Sequence, residues 1–427
     1  MQRKSVCKKS EKSELSSDFS PLIWILAGEA SGDLLGARLM EALRCYIPHV
    51  RFAGVGGTHM EAQGLVSLFP LQDLAVMGLL EVLPRVWLLS RRLTMAVEDI
   101  QTSQPDVVVT IDSPGFALRL LRKIQKMGIP RVHYVAPQVW AWRQKRVKQF
   151  AHLWEMLLCL LPFEEDFFRH HGLKTCFVGH PVLQSGADKG NSQRFRRRYG
   201  VGEKAPVVIL MPGSRRSESA RLLPVFKQML PLLQAKIPDI VPVLPVSAAL
   251  FSSVEQAIKT WPVRPILITD YQEKYDAFAA AQVALTKSGT STLELALAGV
   301  PMVVTYRVHP ITAFLARRLI CVPYVAMINV LAGTPIVPEL LQENCRPDKL
   351  AQALETLLSQ PQAAQHQKET FNNVLPTLKA PQGQKPAQAA ALALLDILLK
   401  NKAAEELNQQ NEPAKYLLIL LVYLGLM

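Results

Sequence analysis

Four short apolar runs constrain this chain more than any other feature. Ile23–Ala27, Asp106–Ile111, Val207–Met211 and Val283–Leu285 are each closed by a turn built from Gly, Ser, Thr, Asp or Arg, and helical spacing follows each turn. Unbroken apolar runs of this length mark strands covered on both faces, and strands alternating with helices build parallel α/β sheets. Arg131–Val135, Met156–Leu161, Cys176–Val178, Ile240–Leu244 and Ile266–Ile268 supply further strands. The pattern predicts an α/β protein with two Rossmann-like domains facing a cleft.

A small, polar stretch at 184–192, holding Gly186 and Gly190, marks the linker between the halves. The expected layout is a disordered N-terminal arm at 1–20, an acceptor domain at 21–183, a second Rossmann-like domain at 193–380, a helical segment at 381–413 and an apolar tail at 414–427. The arm is polar and mixed in charge, unlike a signal peptide. No run reaches the roughly 20 apolar residues of a spanning helix.

The 427 residues carry a net charge of +13, and 49% of them are hydrophobic. That size and composition allow a large core in two or three domains. The basic excess suits nucleic acid, an anionic membrane surface or phosphorylated substrates. No aromatic RNA-binding motif or zinc-finger spacing is present, so nucleic acid is not an expected partner. The six cysteines form no Cys-x-x-Cys pair and read as buried, reduced thiols. The apolar stretch 74–83 leads into a helix around Val86–Gln101 with Trp87, Arg85, Arg91 and Arg92, a composition suited to an interfacial membrane patch or to a core helix with a basic face.

The turns carry the chemistry. Gly28–Asp33 holds two carboxylates, Glu29 and Asp33, and the hydroxyl of Ser31, but no basic residue. It would welcome sugar hydroxyls rather than phosphate. Asp112 ends the strand Asp106–Ile111, at the carboxyl end where open α/β sheets place ligands. Its other reading is an Asx turn or N-cap. Pro212–Glu218 contains Gly213, Ser214 and Arg215, and a guanidinium beside turn amides invites an anion. Lys287–Glu294 contains the Ser288-Gly289-Thr290-Ser291 turn before a helix, where backbone N–H groups and the helix dipole suit a diphosphate. Glu294 is placed to accept from ribose hydroxyls, or to close a capping box with Ser291. His180 reads as a cap or hinge rather than a catalyst. A carboxylate half and a diphosphate half are the layout of a nucleotide-sugar glycosyltransferase.

Several of these stretches resemble the lipid-A-disaccharide synthase family: Gly28–Asp33, Ile111–Pro114, His133–Arg143 with its Val139-Trp140-Ala141-Trp142-Arg143 run, Pro212–Arg215, Ser288–Glu294 and Asn329–Gly333. The resemblance extends from about Ile23 to about Leu399. It implies a GT-B fold whose C-terminal helices pack back or are swapped in a homodimer. It implies transfer of 2,3-diacylglucosamine from UDP to 2,3-diacylglucosamine 1-phosphate, with inversion, at the cytoplasmic face of the bacterial inner membrane.

By matching positions, Asp112 resembles the general base, and Glu29 and Ser31 resemble acceptor-side groups. Arg215, with Ser288, Gly289, Thr290 and Ser291, would hold the UDP diphosphate, Glu294 the ribose, and Asn329 the nucleotide side. No Asp-x-Asp metal motif is present, and neither metal nor cofactor is expected. The alternatives are a related enzyme, such as a UDP-N-acetylglucosamine 2-epimerase or an undecaprenyl-linked glucosaminyltransferase, and a non-enzymatic nucleotide-binding scaffold at a membrane.

Overall fold

The computed structural model describes residues 19–74, 85–142 and 144–409. Nearly all of the expected N-terminal arm, the stretch 75–84, Arg143 and the apolar tail lie outside the described residues.

The chain forms two compact units. The first comprises residues up to Val139, Lys145–Pro181 and the chain from Lys379 onward. Its sheet contains β1 (Leu22–Ala27), β2 (Arg51–Val55), β3 (Val107–Ile111), β4 (Arg131–Tyr134), β5 (Met156–Cys159) and β6 (Thr175–Phe177), in the order β2-β1-β3-β4-β5-β6. All pairings are parallel. β3 is buried at every position, as its Val-Val-Val-Thr-Ile composition requires of a strand covered on both faces.

The second unit comprises Trp140–Gln144 and Val182–Leu378. Its sheet contains β7 (Val207–Met211), β8 (Val241–Pro245), β9 (Ile266–Ile268), β10 (Ala281–Lys287), β11 (Met302–Tyr306) and β12 (Glu339–Leu341), in the order β12-β11-β10-β7-β8-β9, again all parallel. The two Rossmann-like sheets expected from the apolar runs are therefore present. The three-residue edge strand β12 carries no apolar run long enough to announce itself.

Each sheet reverses its direction of growth once. In the first, β1 leads out to β2, and the chain then returns to the other side of β1 as β3. In the second, β7 leads out through β8 to β9, and the chain returns beside β7 as β10. The loops after the two reversing strands diverge to opposite sides, which opens a crevice at the strands' carboxyl ends.

The C-terminal helix packs back as the family resemblance implies, whereas Trp140–Gln144 falls outside the expected acceptor domain. The helix Pro386–Gln409 packs on Ala30–Tyr46, and Ala389, Ala390, Ala391, Leu394 and Leu398 join the core of the first unit. Its alanine-rich face permits that close approach. Trp140–Gln144 groups with the second unit: Trp142 bridges Ile320, and the Cys321 amide donates to the Ala141 carbonyl at 2.8 Å. Among the described cysteines, Cys159 and Cys345 are buried as expected, whereas Cys45 and Cys321 are exposed.

Candidate active site

The reversal between β1 and β3 brings the carboxylate turns together. Ala27 and Ile111 are register partners, so the residues that follow them emerge side by side. Gly28 lies so close to Ser113 that a Cβ added to it would stand 1.9 Å from the serine Cβ. Only glycine fits there. Glu29 follows in extended conformation and begins the helix Ala30–Tyr46, and its side chain does not cap that helix. Ser31 is exposed on the first turn.

Asp112 and Ser113 both adopt the left-handed region, with φ of 55° and 45°. Two consecutive non-glycine residues there are uncommon, and such strain concentrates at functional sites. The surrounding bonds hold them: the Asp112 amide donates to the Tyr134 carbonyl at 2.9 Å, and Asp112 Oδ1 accepts the Ser113 amide at 2.8 Å. That bond reaches the next residue, whereas an Asx turn closes on the second, and the carboxylate is half-buried at the switch point.

Asp33, read from the sequence as a possible sugar acceptor, has another task. It is buried, and its carboxylate accepts the amides of Gly57 at 2.8 Å and of His59 and Met60 at 3.0 Å each. It caps the short helix Thr58–Glu61. His180 is also buried, and burial pushes its imidazole down to about 4, which keeps the ring neutral near pH 7.

The reversal between β7 and β10 brings the anion turns together. Thr286 and Met211 are register partners. Arg215 follows the first turn and precedes the helix Arg216–Gln234, and Ser288-Gly289-Thr290 follows the second. Glu218 joins them. One of its oxygens, Oε1, lies 3.4 Å from Arg215 Nη1 and 2.9 Å from Lys287 Nζ. The capping-box reading of Glu294 fails. Its carboxylate instead meets Lys274 Nζ at 3.1 and 3.0 Å and the Tyr275 hydroxyl at 3.0 Å, both from the helix Tyr271–Ala280.

Asn329 requires a correction. It is fully buried: its amide nitrogen donates to Val337 O at 2.9 Å and to Glu339 Oε1 at 2.8 Å, and its oxygen accepts Val337 N at 2.9 Å. Both of its donor hydrogens are taken up internally, so it cannot serve as a direct nucleotide contact through that group. Glu339 also accepts the amides of Val325 and Ala326, while Ser288 Oγ donates to the Val325 carbonyl. Asn329 therefore positions the loop on which Ser288 leans.

The sequence reading missed Glu218, Lys274, Tyr275, Glu339 and the role of Lys287. Glu218 carried a signal, being one turn beyond Arg215 on a helix. The others meet their partners across long sequence separations and carried none.

Two six-stranded parallel sheets with their polar turns at the switch points place the protein in the GT-B class of folds. Solved structures agree on the fold. UDP-GlcNAc 2-epimerase from Neisseria meningitidis bound to UDP-GlcNAc is similar with a TM-score of 0.59 at 11% identity, over 89% of this chain and 100% of that one. The glycotransferase of kitacinnamycin also reaches 0.59 at 16% identity, over 89% and 99%.

A family model described as lipid-A-disaccharide synthetase matches residues 23–418. The lipid-A-disaccharide synthase of Gluconobacter oxydans (strain 621H) is 61% identical over 389 residues, 91% of this chain and 94% of its own. That of Granulibacter bethesdensis (strain ATCC BAA-1260 / CGDNIH1) is 57% identical over 389 residues, 89% and 99%. The chain belongs to the lipid-A-disaccharide synthase family. The match extends to residue 418 and so includes the start of the apolar tail.

Proposed function

We propose that the protein is a glycosyltransferase that moves 2,3-diacylglucosamine from UDP to 2,3-diacylglucosamine 1-phosphate, giving the β-1,6-linked lipid A disaccharide 1-phosphate and UDP. The observation that carries this reading is the chemistry at the two switch points: carboxylates at one, and arginine with a Ser-Gly-Thr turn at the other.

Asp112 takes the proton of the acceptor's 6-hydroxyl. The oxygen attacks the anomeric carbon opposite the departing phosphate, a bond to that carbon forms as the carbon–phosphate-oxygen bond breaks, and the configuration inverts. Glu29 and Ser31 orient the acceptor sugar. Arg215 and the amides of Ser288–Ser291 hold the charge that grows on UDP, as fixed donors do most effectively when they are in place beforehand. Glu294, steadied by Lys274 and Tyr275, accepts from the ribose. Asn329 acts through the loop beneath Ser288.

Membrane contact belongs to the same reading. Trp87 is 89% exposed at the start of the helix Val86–Ser103, with exposed Arg85 and Arg91 beside it. An exposed aromatic among cations suits an anionic bilayer surface. Among the described residues, no helix is long and apolar enough to cross a membrane. We assign this patch to peripheral attachment at the cytoplasmic face of the inner membrane. Docking Pro386–Gln409 on a second copy, instead of on its own chain, would give the swapped homodimer.

The test is mass spectrometry of the product formed from the two defined lipid substrates. The disaccharide 1-phosphate with stoichiometric UDP is expected, and no UDP release would refute the assignment. An epimerase would instead convert UDP-N-acetylglucosamine supplied alone.

A further inference from the structure

Lys287 stands immediately before the Ser-Gly-Thr turn, and its side chain is largely covered, at 16% exposure. Its ammonium meets Glu218 Oε1, the oxygen that Arg215 also approaches. The other oxygen, Oε2, is buried without a hydrogen-bond partner and faces Gly213, where a Cβ would come within 2.5 Å of it. Gly213 itself has φ of 109°, so glycine is required there on both counts.

This carboxylate is an unusual counterion. A buried carboxylate is costly unless paired, and one cation would satisfy that need. Two cations converge on one of its oxygens, which leaves one positive charge in surplus. Arg215 remains about half exposed. Lys287 lies against the turn: a Cβ on Gly289 would stand 3.3 Å from its Cε. The Tyr306 ring lies 5.7 Å from Lys287 Nζ, a cation–π distance that further restrains the ammonium. Burial first, and the Glu218 charge next, raise the Tyr306 phenol above its usual range.

Resting on the transferase reading, we propose that Lys287 is a second cationic contact to the diphosphate of UDP, and that Glu218 is a positioning residue that holds Lys287 and Arg215 at one point. With one N–H given to Glu218, the ammonium keeps two donors for phosphate oxygens.

Calorimetry on the full chain with UDP, UMP and uridine tests this. Lys287→Gln should weaken UDP by about 10- to 100-fold, the range of a charge-assisted contact, and leave uridine unchanged. Lys287→Arg should recover part of the loss. Glu218→Gln should weaken UDP more than uridine, because both cations lose their anchor, with a melting curve recorded alongside. The double variant Glu218→Gln/Lys287→Gln should remain weak. Unchanged UDP affinity in Lys287→Gln, an equal loss for uridine, or wild-type affinity in the double variant would overturn the contact. Glu218→Gln with wild-type UDP affinity would overturn the positioning role. A wild-type protein that binds no UDP would instead bring down the transferase reading beneath it.

Discussion

The Cβ that Gly28 lacks would lie 1.9 Å from the Cβ of Ser113 and 2.6 Å from its hydroxyl. This contact fixes the spacing between the Glu29 turn and the strained Asp112–Ser113 pair. Gly28→Ala should push the two turns apart. Overpacking of this kind costs about 1–3 kcal/mol. We expect a melting point lower by several degrees, a severe loss of turnover and unchanged UDP affinity. A variant with full activity would show that the two turns do not need this spacing.

Asp112→Asn isolates the proton transfer. Asparagine tolerates the left-handed backbone that Asp112 adopts, so the turn should persist. Loss of a general base lowers turnover by roughly 10²- to 10⁴-fold. Steady-state rates should fall within that range while calorimetric UDP affinity holds. A full rate would place the base elsewhere.

Glu294 sits in a cage of Lys274 and Tyr275, which orients its carboxylate before any nucleotide arrives. Glu294→Ala should weaken UDP by about tenfold or more, as expected for hydrogen bonds to a charged group. It should also erase any preference for UDP over 2′-deoxy-UDP. Retained discrimination between the two would remove Glu294 from the ribose.

Acid should destabilise the first unit through two histidines. His133 is fully buried on β4, stacked on Trp154 at 5.3 Å with its Nδ1 2.8 Å from Thr110 Oγ1, and His180 is buried in the same unit, just before the chain leaves it at Pro181. Burial pushes both down to about 4 from 6.5. The folded pKa lies below the unfolded one, so the unfolded chain binds more protons across that interval. Stability from these groups is therefore complete above about pH 6.5 and is lost as pH falls toward 4. The loss is on the order of 3 kcal/mol for each ring. Urea midpoints between pH 8 and 4.5 should be level at first and then fall, and His133→Gln should flatten the curve. An acid limb unaffected by either histidine's replacement would assign it to other groups.

Much of this protein could be read along the chain because the relevant physics is local. Apolar runs such as Val107–Ile111 announce buried strands, and the turns after them announce strand ends, since glycine, serine and aspartate suit the backbone there. Family membership was legible in the same turns and in the Val139–Arg143 run. Folding alone decided which polar groups meet. Asp33 and Asp112 look alike in sequence, yet one caps a helix with its whole carboxylate and the other stands at the switch point. Glu218 reaches Lys287 across 69 residues, Glu294 reaches Lys274 across 20, and Asn329 is buried beneath the loop it was expected to share with a nucleotide. Such pairings depend on strand order and on the path of each crossover, and periods of two or 3.6 residues carry no information about either.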